Sequence, residues 1–132
     1  MKTINIGDAA EFSKTITEHD ILTFAGVTGD FNEVHINKVK AEKSIFKERI
    51  AHGMLTASFI STVIGMYLPG KGSIYLEQNL KFLKPVKIGD TITAKVVVEK
   101  IDSDKNIYKL ITTVTNTNDD LVVDGNAKIL YK

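Results

Sequence analysis

The chain has 132 residues, of which 43% are hydrophobic and 25% charged, and its net charge is +1 at pH 7. So small a charge provides no field for steering nucleic acids or anionic membranes to the protein. The absence of cysteine excludes disulfides, thiolate nucleophiles and thiolate metal ligands. This length and composition predict one globular domain over residues 1–132.

The N-terminal segment, residues 1–12, lacks the continuous apolar run of a signal peptide. The most apolar stretch, residues 53–68, is interrupted by hydroxyl side chains and is too short to span a bilayer. We therefore expect a soluble cytoplasmic protein with no membrane or nucleic-acid partner.

The beginning of the chain predicts one short strand and one capped helix. Residues 2–6 predict a strand at the edge of a sheet. Thr17 and Asp20 match an acidic capping box, in which each side chain accepts a hydrogen bond from the other residue's main-chain amide. The helical spacing of apolar residues that follows ends at Gly29, a natural stop. The segment after Gly29 is therefore predicted to be a loop at a helix exit.

A long helix is predicted from about Gly53 to Leu68, after a short one over residues 37–43. Its apolar residues occur on nearly all sides, which is typical of a buried helix. Pro69 follows and cannot continue the helix. Another backbone could approach a stripe of small residues along it: Ser58, Ser61, Thr62 and Gly65.

The second half of the chain has the period of strands. Residues 73–84 alternate in polarity, and three segments rich in Val, Ile and Thr follow at 91–101, 106–117 and 121–131. Short polar turns join the last three into an antiparallel meander. The predicted fold class is therefore α+β, with one buried helix against a curved antiparallel sheet. The open edges of such a sheet often pair with a second chain, so a dimer is plausible.

The segment VTGDFNEVHIN, residues 27–37, places Asp30, Asn32, Glu33 and His35 close together. A carboxylate and an imidazole on one loop can divide acid and base work, because imidazole titrates near neutral pH. The alternative is a turn, since Asp and Asn are common loop formers and His35 could bond to a main-chain group. Spacing alone leaves both interpretations open.

The segment IAHGMLTASF, residues 50–59, places Gly53 in the first turn of the long helix. Unpaired amides and the positive end of the helix dipole can stabilise a carbonyl oxygen as it gains charge. The alternative is that Gly53 only permits tight packing. Ser61 could bind a ligand or bond to the carbonyl four residues earlier. We interpret His52 as structural, and because His35 and His52 lack a compact ligand pattern we predict no metal site.

Taken together, these segments resemble the MaoC-like (R)-specific enoyl-CoA hydratases. The signature of that family runs approximately aromatic-x-x-x-[ST]-G-D-x-N-P-[LIV]-H, and here it reads FAGVTGDFNEVH, residues 24–35. Residues 50–61 and 68–92 are also similar to family sequence. One position departs from the pattern, because Glu33 stands where the family usually has proline, which would fix φ.

The resemblance implies a hot-dog fold, in which an antiparallel sheet wraps around a long central helix, paired as a homodimer. It implies that Asp30 and His35 are the catalytic pair and that Asn32 supports their loop. It also implies that the Gly53 amide is the oxyanion donor. Ser61 would correspond to a family serine that forms a hydrogen bond in the active site.

The implied reaction is the reversible hydration of a trans-2-enoyl-CoA, such as crotonyl-CoA, to the (R)-3-hydroxyacyl-CoA. The CoA thioester is then the substrate, so no separate cofactor is expected. Three alternatives use the same fold. They are an acyl-CoA thioesterase, a non-catalytic acyl-CoA-binding module and an acyl-carrier-protein dehydratase.

Overall fold

The computed structural model describes residues 3–132. All its strands form one antiparallel sheet in the order β1-β3-β4-β5-β2. The sheet and its long helix, α4, confirm the α+β class and the hot-dog arrangement. In chain order the elements are β1 (Ala9–Thr15), α1 (Glu18–Thr28), α2 (Glu33–Ile36), α3 (Lys38–Glu42), α4 (Gly53–Met66), β2 (Ile74–Phe82), β3 (Thr91–Asp102), β4 (Ile107–Thr115) and β5 (Leu121–Leu130).

The core lies between α4 and the sheet, chiefly against β1, β3 and β4. The strands contribute alternate residues, because successive side chains point to opposite faces. Not every side of α4 is covered, since Met54 and Met66 are 57% and 59% exposed. The residues of α4 that are buried are Leu55, Thr56, Ala57, Ile60, Val63 and Ile64.

The strand predicted over residues 2–6 is wrong. Residues 3–6 form a loop and the start of a turn, and residue 2 lies outside the described residues. The Asp8 carboxylate accepts a hydrogen bond from the Asn5 amide at 2.9 Å, and Gly7 has a φ of 92°. This turn redirects the chain, so the edge strand starts only at Ala9.

The cap signals that precede the site are confirmed. The Asp20 amide donates to Thr17 Oγ1 at 3.1 Å, and the Thr17 amide donates to Asp20 Oδ2 at 2.9 Å. Gly29 ends α1 in the left-handed conformation. The predicted short helix is α3, which Asn37 caps. The loop predicted after Gly29 contains one helical turn, α2.

Within residues 3–132, no helix has the length and apolar character needed to cross a membrane. The cytoplasmic location and the single domain over residues 1–132 stay predictions.

We expect Gly125→Ala to lower the free energy of unfolding by about 1–3 kcal/mol, the usual cost of overpacking. A Cβ at residue 125 would overlap the main-chain oxygen of Asn79 where β5 meets β2. The matched control is Gly26→Ala in α1, where a Cβ meets nothing within 4 Å. This control should stabilise the protein by up to about 1 kcal/mol.

Urea denaturation measures both changes, and one fixed protein concentration keeps the comparison valid whatever the oligomeric state. Equal unfolding free energies for Gly125→Ala and the unsubstituted protein would contradict the close approach of the two strands.

Candidate active site

Asp30 is positioned by the loop that leaves α1. Its amide donates to Thr28 Oγ1 at 3.1 Å, and its Oδ1 accepts from the Asn32 amide at 3.2 Å. Asn32 in turn caps α2, because its Oδ1 accepts from the Val34 amide at 3.3 Å. The Asp30 side chain is exposed and remains open to solvent.

The local structure explains how Glu33 can stand where the family usually has proline. Glu33 is the first residue of α2, directly after the cap. Proline is favoured at that position because the amide it lacks would have no helical partner. A carboxylate there is also favourable, since it faces the positive end of the helix. The Asn32 cap therefore forms the turn without proline.

His35 is held by a main-chain carbonyl. Its Nδ1 lies 2.8 Å from the Ile50 oxygen. A carbonyl only accepts, so Nδ1 carries the proton and Nε2 of the neutral ring is an acceptor. The side chain is only 9% exposed. Burial lowers the pKa of His35 below its ordinary 6.5, and it outweighs the opposing effects of the Ile50 carbonyl and Asp30.

His52 joins the loop to the start of α4. Its Nε2 donates to the main-chain oxygen of Asp30 at 2.9 Å. Its ring stacks on His35 with centroids 3.9 Å apart, and it packs against Phe24 at 4.9 Å. The residue is 2% exposed. The sequence suggested a structural role for His52, and the bond to Asp30 gives it contacts beyond simple packing.

Gly53 begins α4, and no side chain caps this helix. The first intrahelical bond runs from the Thr56 amide to the His52 oxygen, at 3.1 Å. The amides of Gly53 and the next two residues precede it and have no partner within the helix. A Cβ at residue 53 would lie 2.8 Å from Cδ1 of Phe82. The sequence offered an open amide and tight packing as alternatives for Gly53. In the structure the two occur together.

These groups form an open cleft of about 250 Å³, lined by Asp30, His35, His52, Gly53, Met54 and Phe82. Three of the predicted site residues line this cleft together: Asp30, His35 and Gly53. Asn32 does not line the cleft but supports the loop. Ser61 is exposed on α4, eight residues after Gly53 or about 12 Å along the axis, so one chain does not bring it into the cleft.

The protein also has larger clefts, and two of them differ from the site in character. One of about 600 Å³ lies on the polar outer face of the sheet; its lining includes Lys109 and Lys128 and contains no histidine. The other, of about 290 Å³, adjoins the site because it shares Gly53 and Phe82. Its walls are mostly apolar. We place the chemistry at the smaller cleft because only it has a carboxylate, imidazoles and open amides together.

The family model for the MaoC like domain matches residues 3–120. This chain belongs to the MaoC-like family.

Three relatives show how far the likeness extends. An (R)-specific enoyl-CoA hydratase from Rhodospirillum rubrum is 46% identical over 96% of this chain and 88% of its own. A 3-hydroxybutyryl-CoA dehydratase from Methylorubrum extorquens is 37% identical over 96% of this chain and 80% of its own. The solved (R)-hydratase from A. caviae involved in PHA biosynthesis is 38% identical, covers 100% of both chains and has a TM-score of 0.96.

Asp30, His35 and His52 of this MaoC-like protein each offer a ligand atom within 4.8 Å of the others. The sequence spacing of the two histidines did not indicate this cluster. The imidazole planes, however, stack within 27° of each other. Nε2 of His52 donates to the Asp30 carbonyl and its Nδ1 is buried, so His52 has no nitrogen free to bind a metal ion in the cleft. The arrangement therefore favours proton transfer over metal binding.

Sequence reasoning missed two parts of the MaoC-like site. Phe82, at the end of β2, lies against Gly53, and His52 supports Asp30 and His35. The only signal for His52 was its place beside Gly53. No sequence pattern indicated that Phe82 returns to the start of α4.

We expect the titration midpoint of His35 to lie below 6.5, because burial disfavours the charged ring. Between that midpoint and 6.5 the unfolded chain binds more protons than the folded protein. The free energy of unfolding should therefore rise with pH across this window and then level off. Nuclear magnetic resonance (NMR) titration of the ring protons measures the midpoint.

Urea denaturation on both sides of pH 6.5 measures the linked stability. The control is His35→Gln, which cannot titrate and should lose this part of the pH dependence. A midpoint at or above 6.5 would show that burial does not control the pKa of the His35 ring.

Proposed function

We propose that this MaoC-like protein is an (R)-specific enoyl-CoA hydratase that adds water reversibly to short-chain trans-2-enoyl-CoA. One observation carries the proposal. Asp30, His35 and the Gly53 amide line a single cleft. The hydratase from R. rubrum, with 46% identity over most of both chains, supports the reaction and its stereochemistry.

A water molecule between Asp30 and His35 would be the nucleophile. The Asp30 carboxylate and His35 Nε2 are both acceptors, and a water molecule has two hydrogens to donate. The ligand atoms of the two residues lie within 4.8 Å of each other, which one water can bridge with two ordinary hydrogen bonds. The two bonds would direct a lone pair of the water oxygen at C3 of the substrate.

The Gly53 amide would stabilise the charge that develops during attack. When oxygen adds to C3, electrons move through C2 onto the thioester oxygen, which becomes enolate-like. A donor at the start of α4 stabilises that oxygen, and loss of one such donor typically costs roughly 3–4 kcal/mol. The Gly53 amide has no main-chain acceptor among residues 3–132, so this donor is available.

Proton transfer completes the addition. Attack forms the C3–O bond and releases one proton from water to the Asp30–His35 pair. The pair then protonates C2, which forms the C2–H bond and returns the charge from the thioester oxygen. The reaction consumes one water and no cofactor, and the same steps in reverse give dehydration.

Asn32 would serve the reaction by holding Asp30, since its amide bonds to the carboxylate and its side chain caps α2. Ser61 would act only on a substrate that extends along the exposed side of α4. Neither residue is part of the proton path.

We also propose a homodimer formed through the free edge of β2. This strand pairs with β5 on one side only, and α4 covers mainly the other half of the sheet. Several large apolar residues of β2 are exposed: Ile74 at 54%, Tyr75 at 39%, Leu76 at 48% and Phe82 at 52%. The opposite edge, β1, is shorter, and none of its residues is an exposed large hydrophobic. An apolar free edge favours pairing with a second copy.

We expect Asp30→Asn and His35→Ala each to lower kcat for crotonyl-CoA hydration by roughly 10²–10⁴-fold, because the amide cannot take a proton from the proposed water and the alanine removes the imidazole. Loss of ultraviolet absorption from the conjugated double bond measures turnover. Chiral analysis should identify the (R)-3-hydroxy product.

The matched controls are Asp104→Asn and His19→Ala, two exposed residues outside the cleft that should retain full activity. Near-normal turnover in either cleft variant would remove that residue from the mechanism. Free thiol release without a 3-hydroxyacyl product would favour a thioesterase, and binding without turnover a non-catalytic module. A strong preference for the carrier-protein thioester would indicate a carrier-protein dehydratase.

We expect light scattering to give about twice the 14.6 kDa chain mass. Leu76→Lys should shift the protein towards monomer, because it places a charge at the apolar edge. The control is Ile111→Lys, which puts the same charge at a 38% exposed residue of β4, inside the sheet. Equal dimer fractions for both variants would place the interface elsewhere.

A further inference from the structure

His52 contacts or adjoins the three groups proposed to carry the reaction: Asp30, His35 and Gly53. Its Nε2–H bonds to the Asp30 carbonyl, its ring face covers His35, and its main chain leads directly into Gly53 as the N-cap of α4. At 2% exposure it is one of the most buried polar residues described. Such a position is unusual for a residue with only a packing role, because polar groups are costly to bury.

The hydrogen bond from His52 is the long-range contact of Asp30. Among residues 3–132, the other hydrogen-bond partners of Asp30 are Thr28 and Asn32, which lie within two residues of it. Within the described residues, the bond from His52, 22 residues away in sequence, is the only one that ties Asp30 to a distant part of the chain. This bond therefore fixes the loop relative to the start of α4.

The two imidazoles have assigned protons. The Ile50 carbonyl requires hydrogen on Nδ1 of His35, and the Asp30 carbonyl requires hydrogen on Nε2 of His52. The other nitrogen of His52, Nδ1, is buried without a partner among residues 3–132. A nitrogen with no solvent access does not reach a substrate, so His52 acts through its neighbours.

We propose that His52 is a positioning residue of the hydratase. Its Nε2–H holds the Asp30 main chain, and its ring face holds His35 so that Nε2 of His35 faces the cleft. The inference rests on the proposed function where it concerns turnover. It rests on the geometry alone where it concerns the contacts of His52 with the Asp30 main chain and the His35 ring.

Two amide substitutions test the hydrogen bond. The nitrogen of Gln lies as far along the side chain as Nε2 of histidine, whereas that of Asn is one bond shorter. We expect His52→Asn to lower kcat about 100-fold with little change in KM, as for a displaced catalytic group. His52→Gln should recover about tenfold of this loss, the usual value of one hydrogen bond.

A third substitution tests the ring. His52→Phe keeps an aromatic face beside His35 but removes the donor. Nitrogen-15 NMR of the imidazoles should show His35 as one tautomer, with the proton on Nδ1, in the unsubstituted protein and in His52→Phe. The Asn and Gln variants should show a mixture of tautomers, because His35 without the stacked ring should turn away from the Ile50 carbonyl that fixes its proton on Nδ1.

The outcomes separate the claims. Equal kcat for His52→Gln and His52→Asn would overturn the role of the hydrogen bond. One unchanged His35 tautomer in both amide variants would overturn the role of the ring. Should a variant not fold, the unsubstituted protein still decides, because a His52 tautomer with hydrogen on Nδ1 contradicts the bond to Asp30. If crotonyl-CoA is not hydrated, the proposed function fails while the tautomer result still tests His52.

Discussion

The position of the α4 N-terminus is the constraint on which the site depends. Burial of the helix against the sheet fixes that position, since each large apolar side chain removed from water contributes about 1.5–3 kcal/mol. Single hydrogen bonds contribute about 1 kcal/mol and serve instead to orient groups around the helix start. The core therefore decides where Gly53 lies, and the bonds to Asp30 and Ile50 bring the two acceptors to it.

The cleft is complementary to the two molecules of the proposed reaction. In that reaction water would donate to two acceptors, the carboxylate of Asp30 and Nε2 of His35. The thioester oxygen would accept a hydrogen bond from the amide of Gly53. Burial supports this arrangement at His35, because it lowers the pKa of the ring and so favours the neutral form with its acceptor nitrogen. Asp30 is exposed, so water reaches its side chain.

Features that depend on neighbouring residues could be predicted from the sequence. The Thr17–Asp20 cap, the helix end at Gly29 and the start of α4 at Gly53 are local, and the structure contains all three. The strand assigned to residues 2–6 failed for a local reason too. A turn at Gly7, with an Asp8 side-chain bond, competes with extended pairing there.

Contacts between distant segments could not be predicted in this way. His52 and Asp30 meet because α4 returns to the exit of α1. Phe82 meets Gly53 because β2 crosses back to the helix start. No characteristic spacing in the sequence indicates either of these contacts. The spacing of the histidines suggested separate roles, yet their rings stack at 3.9 Å. The loop could therefore be read from the sequence, whereas the support behind it required the fold.

The proposed assembly and the proposed chemistry share one strand. Phe82 ends β2, lines the cleft and covers Gly53, while the rest of β2 presents the apolar edge. In a single chain this strand is held along one side only, by β5. Pairing of its free edge would restrict the movement of Phe82 and so fix one wall of the cleft. The same contact that buries the apolar edge would then also shape the approach to the Gly53 amide.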